Sequence, residues 1–72
     1  MYESAEIAKN IKKVAKAKKI QLKDMLVAAN LSRNTMSNLY HGSMIGADSL
    51  AKIADYLDCS VDYLLGRTDE RN

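Results

Sequence analysis

Residues 30–42 read N-L-S-R-N-T-M-S-N-L-Y-H-G. Asn30, Arg33, Asn34, Ser37, Asn38 and His41 all carry hydrogen-bonding side chains, and a small protein seldom crowds so many into one helix-length segment. Apolar residues run between them at helical spacing. Ser32 follows Leu31 and is of a type that caps helices by accepting from the free N–H groups of the first turn. With Ser32 as the cap, Met36 is the fourth helical position and can close a hydrophobic staple on Leu31. Met36, Leu39 and Tyr40 then form the inward side, and Gly42 ends the helix. Arg33, Asn34, Ser37 and Asn38 are spaced i, i+1, i+4, i+5, which places all four on the other side of the cylinder. The segment is predicted to be one short amphipathic helix with a polar outer face.

A second short helix is expected just upstream, over Leu22–Ala29, with Gln21 at its N-terminus and Leu22, Met25, Leu26 and Ala29 turned inward. Asn30 tolerates the left-handed backbone that ends a helix, although less readily than Gly. Two short helices joined by a tight turn (Ala28 to Ser32) make a helix-turn-helix. The flanking chain supplies three more helices. The first spans Ser4–Lys18, with Ser4 as its N-cap, Glu6 in its first turn, and Ile7, Ile11 and Val14 as a buried stripe. Another spans Ala47–Leu57, with Leu50, Ile53, Ala54 and Leu57 inward and Asp48 in the first turn. In the last, Ser60 caps a helix that buries Val61, Leu64 and Leu65; Gly66 stops it, and Arg67 opens a frayed polar tail. There is no proline and no sustained period-two alternation. The expected fold is all-α, a compact five-helix bundle over residues 1–67 with a short tail at 68–72.

Seventy-two residues bound a single domain with a modest core. Cys59 is the only cysteine, so no internal disulfide forms, and one Cys with one His falls short of a zinc site. Neither a metal nor a cofactor is expected. No apolar run approaches the roughly 20 residues of a membrane span, and the N-terminus M-Y-E-S-A-E-I lacks a signal-peptide core. A soluble cytoplasmic protein is expected. The charge is split along the chain: residues 1–46 hold eight Lys/Arg against three acids, and residues 47–72 hold three against six. A basic half joined to an acidic half suggests one face that meets a polyanion. Lys9, Lys12, Lys13, Lys16 and Lys19 repel one another along the first helix. That stripe reads either as a solvated face or as one from which one or two lysines touch the polyanion.

Base-edge chemistry suits the outer face of the third helix. The major groove of DNA admits one helix and presents a donor–acceptor code on its floor. Arg offers a planar fork that fits guanine O6 and N7. Asn donates and accepts, fitting adenine N6 and N7, and Ser bonds almost any edge. Ser32, Arg33, Asn34, Ser37 and Asn38 are therefore the candidate base-reading set, and double-stranded DNA is the expected partner. Catalysis has no support, because no carboxylate or nucleophile is placed to join His41.

Three strings carry a family resemblance: I-K-K-V-A-K-A-K-K-I-Q-L (residues 11–22), L-S-R-N-T-M-S-N-L-Y-H-G-S-M (31–44) and S-L-A-K-I-A-D-Y-L-D-C-S-V-D-Y-L-L-G-R-T (49–68). Residues 7–67 resemble the Xre class of bacterial and phage repressors, whose domain is a compact five-helix bundle. The last string is especially similar to small regulators of phage and mobile elements. The resemblance implies that Ser32, Arg33, Asn34, Ser37 and Asn38 lie where the family reads bases and adjoining backbone. It puts Thr35 where a small residue packs near the DNA backbone. Gln21, the N–H groups opening the second helix, and the His41-Gly42-Ser43 loop fall where the family grips phosphate, with Lys19 and Lys23 as further phosphate candidates. The chain departs from the family twice. Leu22 stands where many members carry a phosphate-binding Gln, which Gln21 or Lys23 would replace. The loop S-M-I-G before the fourth helix is shorter than the commonest form and lacks its proline.

The resulting expectation is a sequence-specific transcriptional regulator, a repressor acting as a homodimer on a pseudo-palindromic operator. Its dimer surface is expected in the acidic C-terminal half, and no small-molecule ligand is evident. The competing reading is an antitoxin or helical protein-interaction module built on the same fold, but the basic N-terminal half and the Arg33/Asn34/Asn38 set favour DNA. His41 is either a helix-end residue suited to the dipole or a phosphate contact. Cys59 reads as a small buried hydrophobe rather than a redox switch. Tyr56 and Tyr63 either complete the core or face a second subunit.

Overall fold

Ile7, Ile11 and Val14 are each 1% exposed or less, so the stripe expected on the first helix lies at the centre of the molecule. The structure is a computed structural model that describes residues 3–69. Five helices follow in order: α1 Ser4–Ala17, α2 Leu22–Ala28, α3 Thr35–Tyr40, α4 Ala47–Leu57 and α5 Val61–Leu65. Helix α1 packs on α3 and α5, α2 on α4, and α4 on α5. The shared core adds Ala8, Ala15, Met25, Leu26, Ala29, Met36, Leu39, Leu50, Ile53, Ala54, Leu57 and Leu64. Burial of each large aliphatic side chain stabilises by roughly 1.5–3 kcal/mol, which a chain this short needs in full.

All five helices end in the same way. The N–H of a residue two or three beyond the end of the helix reaches back five residues: Ile20 to Ala15, Leu31 to Leu26, Ser43 to Asn38, Cys59 to Ala54 and Arg67 to Asp62, at 2.8–3.0 Å. The residue just before it in each case has a positive φ: Lys19, Asn30, Gly42, Asp58 and Gly66. This is the Schellman closure, which satisfies the last carbonyls of a helix. Ile20, Leu31 and Cys59 then turn back onto the core, completing the hydrophobic contact that accompanies the motif. Gly42, Gly66 and Asn30 are legible as stops; Lys19 is not, because lysine seldom enters the left-handed region, and Asp58 is of a type that visits it only occasionally.

Two side chains tie helices together at their ends. Lys18 Nζ donates to the carbonyls of Leu57 and Asp58, closing the C-terminus of α4 from the end of α1. Asn10 Nδ2 donates to the Leu64 carbonyl at 3.0 Å and does the same for α5. Ser60 caps α5 as expected, its Oγ accepting from the Tyr63 N–H at 3.0 Å.

Several local expectations are corrected. Ser4 is not the cap of α1 but its first residue, and it is buried. Glu3 stands at the cap in extended conformation, and its carbonyl accepts from the N–H groups of Glu6 and Ile7. The core takes up the small Ser4 side chain and so moves the helix start by one residue. Helix α2 ends at Ala28, with Ala29 as its C-cap. Leu22 is only half-buried. Tyr40, expected to continue the apolar side of α3, is 38% exposed, because Leu39 beside it takes the core position with no exposure. Arg67 is no loose end: its N–H closes α5 and its Nε lies 3.6 Å from Asp62 Oδ1. The remainder of the expected tail, residues 70–72, lies outside the described residues.

Candidate nucleic-acid interface

The two helices of the motif meet through a turn that the chain builds from both sides. Leu26 accepts the Leu31 N–H at 2.8 Å, so Asn30 can turn left-handed and Leu31 can re-enter the core. The Thr35 N–H then bonds the Ser32 carbonyl at 3.1 Å. This tight turn leads into α3. The helix was expected to begin at a Ser32 side-chain cap, but its regular part starts at Thr35, and what joins Ser32 to it is a carbonyl. Asn34 already has right-handed backbone, with φ −84° and ψ −5°. Arg33 and Asn34 therefore lie on the lead-in turn, and Ser37 and Asn38 lie on the helix proper. The difference is two residues, about the usual fraying of a helix start.

The outer side of α3 and its lead-in turn is polar and exposed. Ser32, Arg33, Asn34, Ser37, Asn38 and His41 are all exposed, while Met36 and Leu39 between them are buried at 7% and 0%. The buried pair fixes the roll of α3, and the roll decides which residues face outward. Ser37 Oγ and His41 Nδ1 are 3.5 Å apart, one helical turn along that outer side. Gln21, Lys19, Lys23 and Ser43 are exposed as well. Thr35 is buried, 6% exposed, and sits under the lead-in turn rather than with the outward set.

Ion pairing leaves much of the basic half of the chain uncompensated. The ion pairs among the described residues are Lys9–Glu6, Lys52–Asp48 and Arg67–Asp62. None of them engages Lys12, Lys13, Lys16, Lys19, Lys23 or Arg33. Between residues 12 and 33 the only acid is Asp24. Cations without a carboxylate beside them retain their positive potential at the surface.

A family model for Cro/C1-type helix-turn-helix DNA-binding domains matches residues 10–70. The chain belongs to this family. The Cro/C1-type match covers α2, the turn and α3 entire, so it spans every residue singled out here for base or phosphate contact. No curated protein and no solved structure is similar enough to the chain to count as a match. Among the described residues, no cluster of three or more His, Cys, Asp or Glu could hold a metal. No helix among the described residues is long and apolar enough to cross a membrane.

Beside the outward side of α3, this Cro/C1-type domain carries a contact that the sequence does not announce. Lys12 Nζ stands over the Tyr40 ring, 5.5 Å from its centroid. By sequence, Lys12 is one lysine of a stripe and Tyr40 continues the apolar side of its helix. The available signal was position: Tyr40 follows Ser37 by three residues and Arg33 by seven, which puts it at the edge of the polar side.

Proposed function

We propose that the protein is a sequence-specific transcriptional regulator, a repressor of phage or mobile-element type, whose α3 enters the major groove of double-stranded DNA. One observation carries this reading: the outward side of α3 and its lead-in turn presents Arg33, Asn34, Ser37 and Asn38 together, while Met36 and Leu39 anchor the same segment in the core. Arg33 and the two asparagines have the donor–acceptor geometry that distinguishes guanine and adenine edges. Ser32 and Ser37 bond bases or adjoining backbone. Gln21, Lys19, Lys23, His41 and Ser43 hold phosphates on either side, setting affinity while the α3 groups set sequence. Thr35, small and packed inward, lets the turn approach the duplex closely.

A domain of this size covers few base pairs. The protein therefore acts as a homodimer on a pseudo-palindrome, with half-sites about one helical turn apart. The surface for the second copy is the acidic C-terminal half, where Tyr56 is 41% exposed on α4 and Tyr63 is half-buried on α5. The protein works in the bacterial cytoplasm on the nucleoid.

Selection of bound duplexes from random-sequence DNA, with sedimentation of the complex, tests this reading. The expected result is a recovered motif with two inverted half-sites, bound by two chains. Recovery of no common motif would refute sequence-specific regulation, and a single half-site bound by one chain would refute the dimer.

A further inference from the structure

Lys12 and Tyr40 come from helices that meet in the core, yet both are exposed. The ammonium of Lys12 lies over the ring face at 5.5 Å, where the aromatic quadrupole attracts a cation. A lysine on a four-carbon stem ordinarily samples many positions. Here the ring favours one place among them, beside the last residue of α3. The neighbouring Lys9 differs: its ammonium is occupied by Glu6 at 3.6 Å. No carboxylate among the described residues engages Lys12, so its charge is positioned but not neutralised.

The location of that charge follows from helix geometry. On a helix of 3.6 residues per turn, Tyr40 lies about 60° round from Ser37. It thus borders the polar side without belonging to it. A helix with side chains is about 10–12 Å across and the major groove about 12 Å wide. Groups at the centre of the inserted face meet base edges, and groups at its border meet the sugar–phosphate walls. The α1 side of α3 is such a border.

We propose that Lys12 grips a DNA phosphate on the flank of α3, with Tyr40 as the positioning residue that holds its ammonium there. This rests on the DNA-binding reading above and adds a contact from α1, outside the helix-turn-helix itself. The ring alone does the positioning, so the Tyr40 hydroxyl is not required. One neutralised phosphate releases the counterions condensed on it, and the salt dependence of binding counts such contacts.

The test is a potassium chloride titration of binding to a duplex recovered from random-sequence selection, with thermal melts of each variant. Lys12→Gln is expected to reduce the slope of log K against log salt by about one unit. Lys12→Arg and Tyr40→Phe keep the parent slope, because charge and ring survive. Tyr40→Leu lowers the slope in the same sense as Lys12→Gln, and combining the two lowers it no further. A structural role alone would shift melting and leave the slope in place. A parent-like slope for Lys12→Gln, or for Tyr40→Leu, overturns the proposal while the DNA-binding reading stands. Failure of the parent chain to bind any duplex overturns both.

Discussion

Lys18 Nζ, at the end of α1, donates to the Asp58 carbonyl at 3.0 Å across 40 residues of chain. The Leu57 carbonyl accepts from the same ammonium. Helix α4 thus has its negative dipole end closed by a cation from another helix. Lys18→Met keeps most of the stem and removes the charge. It should lower stability by about 1–2 kcal/mol, the range for a charged hydrogen bond at a partly exposed helix end. Chemical denaturation would measure it, and a change within about 0.5 kcal/mol would show that water replaces the lysine without cost.

Asp58 itself sits at φ +55°, a conformation that costs a non-glycine residue roughly 1–2 kcal/mol. Asp58→Gly should relieve part of that strain, offset by the greater freedom of glycine in the unfolded chain. The expected net gain is about 0.5–1 kcal/mol, or a few degrees in Tm for a domain this small. A lower Tm would mean that the Asp58 side chain contributes more than its backbone strain removes.

Met36 anchors the roll of α3 and is 7% exposed. Met36→Ala should cost ~2–5 kcal/mol, the range for emptying a core site. It should also weaken DNA binding at temperatures where the fold survives, because the outward side chains lose their fixed roll. Unchanged melting would contradict the inward assignment on which the interface depends.

Much of this architecture was legible because periodicity and core burial agree. The α1 and α4 stripes, at Ile7, Ile11 and Val14 and at Leu50, Ile53, Ala54 and Leu57, are all buried as their spacing implied. The bounds of α4, Ala47–Leu57, match to the residue. Short elements were harder to place. Helix α3 has six residues, too few for propensity to fix its start, and backbone bonding through the Ser32 carbonyl overrode the side-chain cap. Tyr40 was misplaced because, at the last position of α3, pattern alone cannot decide between core and rim. Lys18, Asn10, Lys19 and Asp58 were missed for a shared reason. Their roles at helix ends arise from tertiary contacts or from a left-handed backbone that Lys and Asp signal far less clearly than Gly. At the candidate site, the outward placement of Arg33, Asn34, Ser37 and Asn38 follows from Met36 and Leu39, and those two were readable from the start.

The central claim is that the outward side of α3 reads bases, and Arg33 is the most specific reader proposed. The direct measurement is the affinity of the parent and of Arg33→Ala for a selected duplex and for its full set of single base-pair substitutions. The variant should lose roughly 1–3 kcal/mol on the preferred duplex and become indifferent at one base-pair position, while keeping its discrimination elsewhere. An equal loss on every duplex would assign Arg33 to phosphate, and a parent chain that binds all of them alike would contradict base reading by α3.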